Sequence, residues 1–118
     1  TAEIYAEVEK FKQVKESIAV GQTWDNDIRI ILFVILNKGY DLNNNLVKKI
    51  KKQIRINASP RHVPEKIISV TDIPRTKNGK IVELAVKNTI EGNKIKNKEA
   101  LANPEILKEY VNIKELND

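Results

Sequence analysis

IRIILFVIL, Ile28 to Leu36, is almost continuously apolar and rich in β-branched residues. That pattern suits a central strand covered on both faces, since a strand with one wet face would alternate. The run is far too short to span a bilayer as a helix. The remainder of the chain must therefore supply an apolar layer on each side, and 118 residues suffice for one domain with a modest core.

The flanking segments read as short elements without repeats. Thr1 to about Phe11 is a helix with Ile4, Val8 and Phe11 on one face and Thr1 as its cap. SIAVG, Ser17 to Gly21, is a short strand, and TWDND and NKGYD are turns. Asn43 or Asn44 caps a second helix whose Leu46, Ile50 and Ile54 recur every four residues, with Val47 beside them. Its other face is Lys48, Lys49, Lys51, Lys52 and Arg55. SPRHVP is a proline-bracketed loop, and Lys66 to Val70 is another strand. From Ile81 a helix resumes, with Ile81, Leu84, Ala85 and Ile90 on one side and Glu83 and Lys87 at i,i+4. Gly92 ends it. GNKIKNKEA is polar and loose. Asn103 caps a last short helix with Pro104 in its first turn and Ile106, Leu107, Tyr110 and Val111 as its apolar side. The expected fold is α+β: a roughly three-stranded sheet flanked by helices, with a short hairpin carrying the Gly79-Lys80 turn.

Composition narrows the chemistry. Lys and Arg number 21 against 16 acids, a net charge of +5 that favours anionic partners, although the acids are interspersed. No cysteine is present, which removes disulfides, thiolate nucleophiles and Cys-type zinc sites. A single histidine removes a multi-histidine metal site, and no metal site is expected. The start, TAEIYAEVEK, is charged and amphipathic rather than a signal peptide, so a soluble cytoplasmic protein is the expectation. Thr1 stands where an initiator methionine is missing, which suggests a piece of something longer. Sparse aromatics and no base-reading motif argue against nucleic acid as a partner, and no membrane partner is expected. His62 reads as a loop residue between Pro60 and Pro64, Trp24 as a cover for a turn at the sheet edge, and Arg75 and Lys77 as solvated.

PRTKNGK, Pro74 to Lys80, is the stretch in which an apolar run ends in a glycine-lysine turn. With its flanks it gives I-P-x-T-x-x-G-K followed by a helix. This resembles the last signature of the adenylate-forming superfamily: acyl-CoA synthetases, luciferases and peptide-synthetase adenylation domains. The resemblance covers essentially the whole chain, residues 1–118, as the superfamily's mobile C-terminal domain. Within the superfamily, SPRHVPEKI, NGKIVELAVKNTIEG and LANPEILKEYVNI look most like acetoacetyl-CoA synthetases. Acetyl- and propionyl-CoA synthetases are the alternative, and in them the helix after the glycine-lysine pair is usually more basic than Val82 to Lys87. Two other classes stay open: a basic nucleic-acid-binding module, and a freestanding interaction domain that kept only the fold.

The resemblance implies that Lys80 is the catalytic lysine of acyl-adenylate formation. A compact ammonium on a long stem suits that task, because carboxylate and α-phosphate must approach each other and charge builds at phosphorus. Gly79 frees the turn and keeps bulk away from the ligand. Asn78 tolerates turn conformations and Thr76 bonds locally. The resemblance further implies ATP, Mg2+ and coenzyme A as ligands of a full-length enzyme, none of them bound by these residues alone. Its partners would be an N-terminal domain, toward which this domain rotates as a lid, and a small carboxylic acid such as acetoacetate. Lys51 and Arg55 are both candidates for the coenzyme contact, because the spacing here is longer by several residues than in relatives. In acetyl-CoA synthetases the corresponding lysine context resembles a target of reversible acetylation, which makes Lys80 a candidate acetylation site.

Overall fold

The computed structural model describes residues 2–118; Thr1, and with it the expected cap of the first helix, lies outside them. The chain runs α1 (Ala2–Val8), β1 (Val14–Trp24), β2 (Asp27–Leu36), α2 (Asn44–Asn57), a 3-10 turn (Pro60–His62), β3 (Lys66–Ser69) and α3 (Glu83–Ile90). Three further 3-10 segments follow, Lys98–Ala100, Pro104–Tyr110 and Lys114–Asn117. The α+β expectation holds. The sheet has the order β1-β2-β3, and the apolar run occupies its centre.

β1 and β2 pair antiparallel from Val14↔Leu36 to Trp24↔Asp27. Only Asp25 and Asn26 form the turn, at φ 51° and 61°. These left-handed values fit the twist that a two-residue hairpin loop requires, and Asn and Asp tolerate them best after glycine. The first strand therefore reaches well beyond Ser17–Gly21. Glu16, Gln22 and Thr23 lack a strand pattern of their own and are carried into the ladder by pairing with β2, while Lys15 sits in a bulge between the paired Val14 and Glu16. β3 lies parallel to β2, Ile31↔Lys66 to Val34↔Ser69, with α2 as the crossover.

The pleat of β2 divides the core. Leu32 and Val34 face Ile4 and Val8 of α1 and Leu46, Ile50 and Ile54 of α2. Ile31, Phe33 and Ile35 face Val86 of α3 and Ile106, Tyr110 and Leu116 of the C-terminal segment. Asn43 caps α2 by accepting from the Leu46 amide at 2.8 Å. Trp24 lies under the Arg29 guanidinium, 4.0 Å from the ring centroid, at the edge of the sheet.

Four sequence expectations change here. α3 starts at Glu83, because Ile81 is paired with Arg75 instead of opening a helix. It buries Ala85 and Val86, while Leu84 is 65% exposed and Ile81 is also exposed. Lys87 pairs with Glu91 at 3.3 Å, whereas Glu83 accepts from the Tyr5 hydroxyl. The last helix is a 3-10 segment with Ile106, Leu107 and Tyr110 buried and Val111 half exposed, and Asn103 makes no capping bond to it. Among the described residues no helix is long and apolar enough to cross a membrane.

Candidate functional site

β3 leads into Ile73 and Pro74, both buried, and the chain then leaves the core as a short hairpin. Arg75 pairs antiparallel with Ile81. The Val82 amide donates to the Pro74 carbonyl at 3.0 Å and the Thr76 amide to the Lys80 carbonyl at 2.8 Å. Inside the loop the Gly79 amide donates to the Thr76 carbonyl at 2.8 Å. This is a tight turn followed by a residue in the left-handed region, a geometry that places glycine fourth. Gly79 has φ +88°, and a β-carbon built on it would meet nothing within 4 Å. Glycine is thus required here for conformation, not for space within the domain.

Thr76 closes the turn from inside, its Oγ1 accepting from the Lys80 amide at 3.1 Å. Lys77, Asn78, Gly79 and Lys80 are all exposed, and the Lys80 ammonium has no hydrogen-bond partner among the described residues. The hairpin therefore presents a free cation at the end of a backbone fixed on both sides. Lys77 is solvated, as expected. Arg75 is not. Its Nη2 donates to Glu16 Oε1 at 2.6 Å and lies 3.7 Å from Asp72 Oδ1. The Glu16 bond and the neighbouring carboxylates hold the guanidinium still more firmly protonated than usual. Arg75 ties the hairpin base to β1.

Sequence reasoning also missed what stands behind the hairpin. The Ala102 amide donates to the Arg75 carbonyl at 2.8 Å, and Thr76 pairs antiparallel with Leu101. Asn103 accepts from the Arg75 amide at 2.9 Å and donates to the Ile73 carbonyl at 2.9 Å and to Asp72 Oδ2 at 3.1 Å. The buried Tyr110 hydroxyl donates to the Asp72 carbonyl at 2.8 Å. An asparagine before a proline is a helix-start signal, and nothing local in LANPEIL marks the alternative use.

Lys51 and Arg55 lie one turn apart on α2, far along the chain from the hairpin. The Lys51 ammonium donates to the Glu65 carbonyl at 3.3 Å, whereas Arg55 is exposed. His62 ends the Pro60–His62 turn; its Nδ1 shares a 2.6 Å hydrogen bond with Ser59 Oγ and its Nε2 lies 3.9 Å from Glu3 Oε2.

The comparison that decides the family is a match over residues 3–80 to the AMP-binding enzyme C-terminal domain. The chain belongs to that family. The match ends on Lys80 itself, so the family's shared part runs through the hairpin turn and the residues behind it lie outside. Acetoacetyl-coenzyme A synthetase of Rhizobium meliloti is 55% identical over 116 residues, 98% of this chain and 18% of that protein. Acetoacetyl-CoA synthetase of Gallus gallus is 43% identical over 98% of the chain. In the solved acetoacetyl-CoA synthetase of Streptomyces lividans the likeness covers 99% of this chain and 18% of that one, with a TM-score of 0.85 and 34% identity. The chain thus spans about a fifth of the length of these members of the family.

Proposed function

We propose that this chain is the C-terminal domain of an ATP-dependent, AMP-forming acid–CoA ligase whose acid is acetoacetate. The observation that carries the proposal is Lys80: an exposed ammonium held out on a glycine-dependent turn, at the last residue of the family match. The choice of acid follows the likeness to acetoacetyl-CoA synthetases over nearly the whole chain.

In the first half-reaction a carboxylate oxygen attacks the α-phosphorus of ATP, a carbon–oxygen–phosphorus link forms, and pyrophosphate leaves. Lys80 lies between the two anions and stabilises the charge that develops at phosphorus. At an effective dielectric near 20 such a contact at 4 Å is worth about 4 kcal/mol of Coulomb energy before desolvation. In the second half-reaction the coenzyme thiol displaces AMP, and the domain presents another surface with Lys80 withdrawn. Arg55 is the better of the two coenzyme candidates, because Lys51 is already engaged with Glu65. Mg2+ would arrive with ATP. Among the described residues no group of three or more His, Asp or Glu is placed to hold a metal. Acetylation of Lys80 would remove the charge that adenylation needs and would act as an off-switch. The cytoplasm is the proposed location.

The deciding experiment is Lys80→Ala in the full-length protein. Pyrophosphate release with acetoacetate should fall by about 10²–10³, while conversion of supplied acetoacetyl-adenylate and coenzyme A to the thioester stays near the wild-type rate. Lys77→Ala is the control and should lose little. Normal adenylation by Lys80→Ala, or an equal fall in both half-reactions, would sink the lysine reading. A parallel screen with acetate, propionate and 3-hydroxybutyrate tests the acid.

A further inference from the structure

A two-stranded hairpin closed by a single bridge is marginal on its own in water. The Lys80 hairpin has one bridge, Arg75↔Ile81, yet Lys80 follows directly on its turn and must be aimed. The missing support comes from Leu101–Asn103, a segment outside the family match, which lies along the hairpin's other edge through the Thr76↔Leu101 bridge and the Ala102 amide bonded to the Arg75 carbonyl. Three polar contacts of one side chain complete the attachment: the Asn103 amide bridges Asp72, Ile73 and Arg75. Oδ1 takes an amide hydrogen, and the two Nδ2 hydrogens go to a carbonyl and a carboxylate. The Tyr110 hydroxyl and Glu109 grip the same strand, the former at the Asp72 carbonyl and the latter at the Thr71 amide, 3.0 Å away. The chain from Thr71 to Thr76 is therefore bonded along its length by residues 101–110.

We infer that Asn103, with the Leu101–Asn103 segment it anchors, is the positioning residue for Lys80: it fixes the base of the hairpin so that the ammonium is preorganised for adenylation. This rests on the reading of Lys80 as the adenylation lysine. Asn103 touches no substrate in this account. Its removal loosens the direction of the hairpin, and a misplacement of about 1 Å at a reacting centre can lower a rate about 100-fold.

The test uses the full-length ligase and measures the two half-reactions separately, with Lys80→Ala alongside. Asn103→Ala should lower kcat of pyrophosphate release with acetoacetate about 10- to 100-fold and leave KM for ATP nearly unchanged. Thioester formation from supplied acetoacetyl-adenylate should be unaffected. Asn103→Asp should fail likewise, because it places a second carboxylate against Asp72. Adding Asp72→Asn should restore part of the rate by reversing the direction of that bond. If Asn103→Ala does not fold, Ala102→Pro is the second variant: it removes the amide donated to the Arg75 carbonyl and sets its ring against that oxygen, which detaches the segment while leaving the Asn103 side chain in place. Leu101, at φ −84° and ψ 140°, already has the backbone a following proline demands. Equal loss in both half-reactions, or full adenylation by both variants while Lys80→Ala is inactive, would overturn the positioning role and leave the lysine reading intact. Normal adenylation by Lys80→Ala would overturn both.

Discussion

On one face of the sheet α2 lays Leu46, Ile50 and Ile54 against Leu32 and Val34; on the other, Phe33 meets Tyr110 edge-on, with ring centroids 4.9 Å apart, from a 3-10 segment near the C-terminus. The first face is closed by regular helices whose apolar residues repeat every turn. The second is closed by one short helix and a C-terminal segment that runs in 3-10 turns, held by hydrogen bonds as much as by packing. The candidate catalytic hairpin grows out of the second face. The division separates the part that secures the fold from the part that aims a side chain, because a packed helix face gives rigidity but few directional contacts.

The largest effect on stability should come from breaking the helix face. Ile50 is fully buried at the centre of α2. Ile50→Ala removes packed methyl groups and leaves a cavity, which should cost about 2–5 kcal/mol, read from urea unfolding of the 118-residue chain. A loss well under 1 kcal/mol would mean that this face does not secure the domain.

Gly79→Ala should shift the balance: a smaller loss of global stability than Ile50→Ala, and a large loss of adenylation. At φ +88° an L-residue is strained by about 1–2 kcal/mol. A β-carbon there touches nothing, so the strain stays in the hairpin. Gly79→Asn should recover part of the rate, since asparagine tolerates the left-handed region better than alanine. Adenylation by Gly79→Ala equal to wild type would remove the turn's conformation from the account of Lys80.

The same division explains what the sequence disclosed. Leu46, Ile50 and Ile54 announce their helix because their pattern is local, and Asn43 caps it as its position suggests. The apolar run places the central strand, and the glycine-lysine turn is legible because φ > 0 needs glycine. Arg75 looks solvated in the sequence because its partner Glu16 lies 59 residues away. Asn103 looks like a helix cap in the sequence because its partners Asp72, Ile73 and Arg75 lie 28 to 31 residues earlier. The 3-10 geometry of Pro104–Tyr110 likewise answers to docking against Phe33 and Asp72, which no window of local sequence contains. Helix faces are written in short-range periodicity; the support of the hairpin is written in long-range bonds between single side chains.

Glu7 offers the smallest effect at neutral pH and a distinct signature in acid. Its carboxylate joins α1 to α2, accepting from Asn57 Nδ2 at 2.9 Å, Gln53 Nε2 at 3.0 Å and the Lys10 ammonium at 3.1 and 3.2 Å. The Asn57 bond and then the Lys10 bond hold its pKa below the ordinary 4.5. A carboxyl that is more acidic when folded binds fewer protons in the native state than in the unfolded one, so stability rises with pH through that window. The contribution of Glu7 is thus complete above about pH 4.5, the unfolded value, and is lost as pH falls through the lower native value. Glu7→Gln keeps one acceptor oxygen and removes the titration. Wild type and variant should have similar unfolding midpoints at pH 7, and the gap between them should change as pH drops below 4.5, wild type falling faster. Other depressed carboxyls, Glu91 and Asp118 among them, titrate alike in both proteins and cancel in the difference. Hydrogen exchange in acid should loosen the α1–α2 junction of the wild type ahead of the Thr76 and Val82 amides of the hairpin. Parallel stability curves for the two proteins from pH 7 down to about 3 would mean that this carboxylate does not hold the helix face together, and that packing alone does.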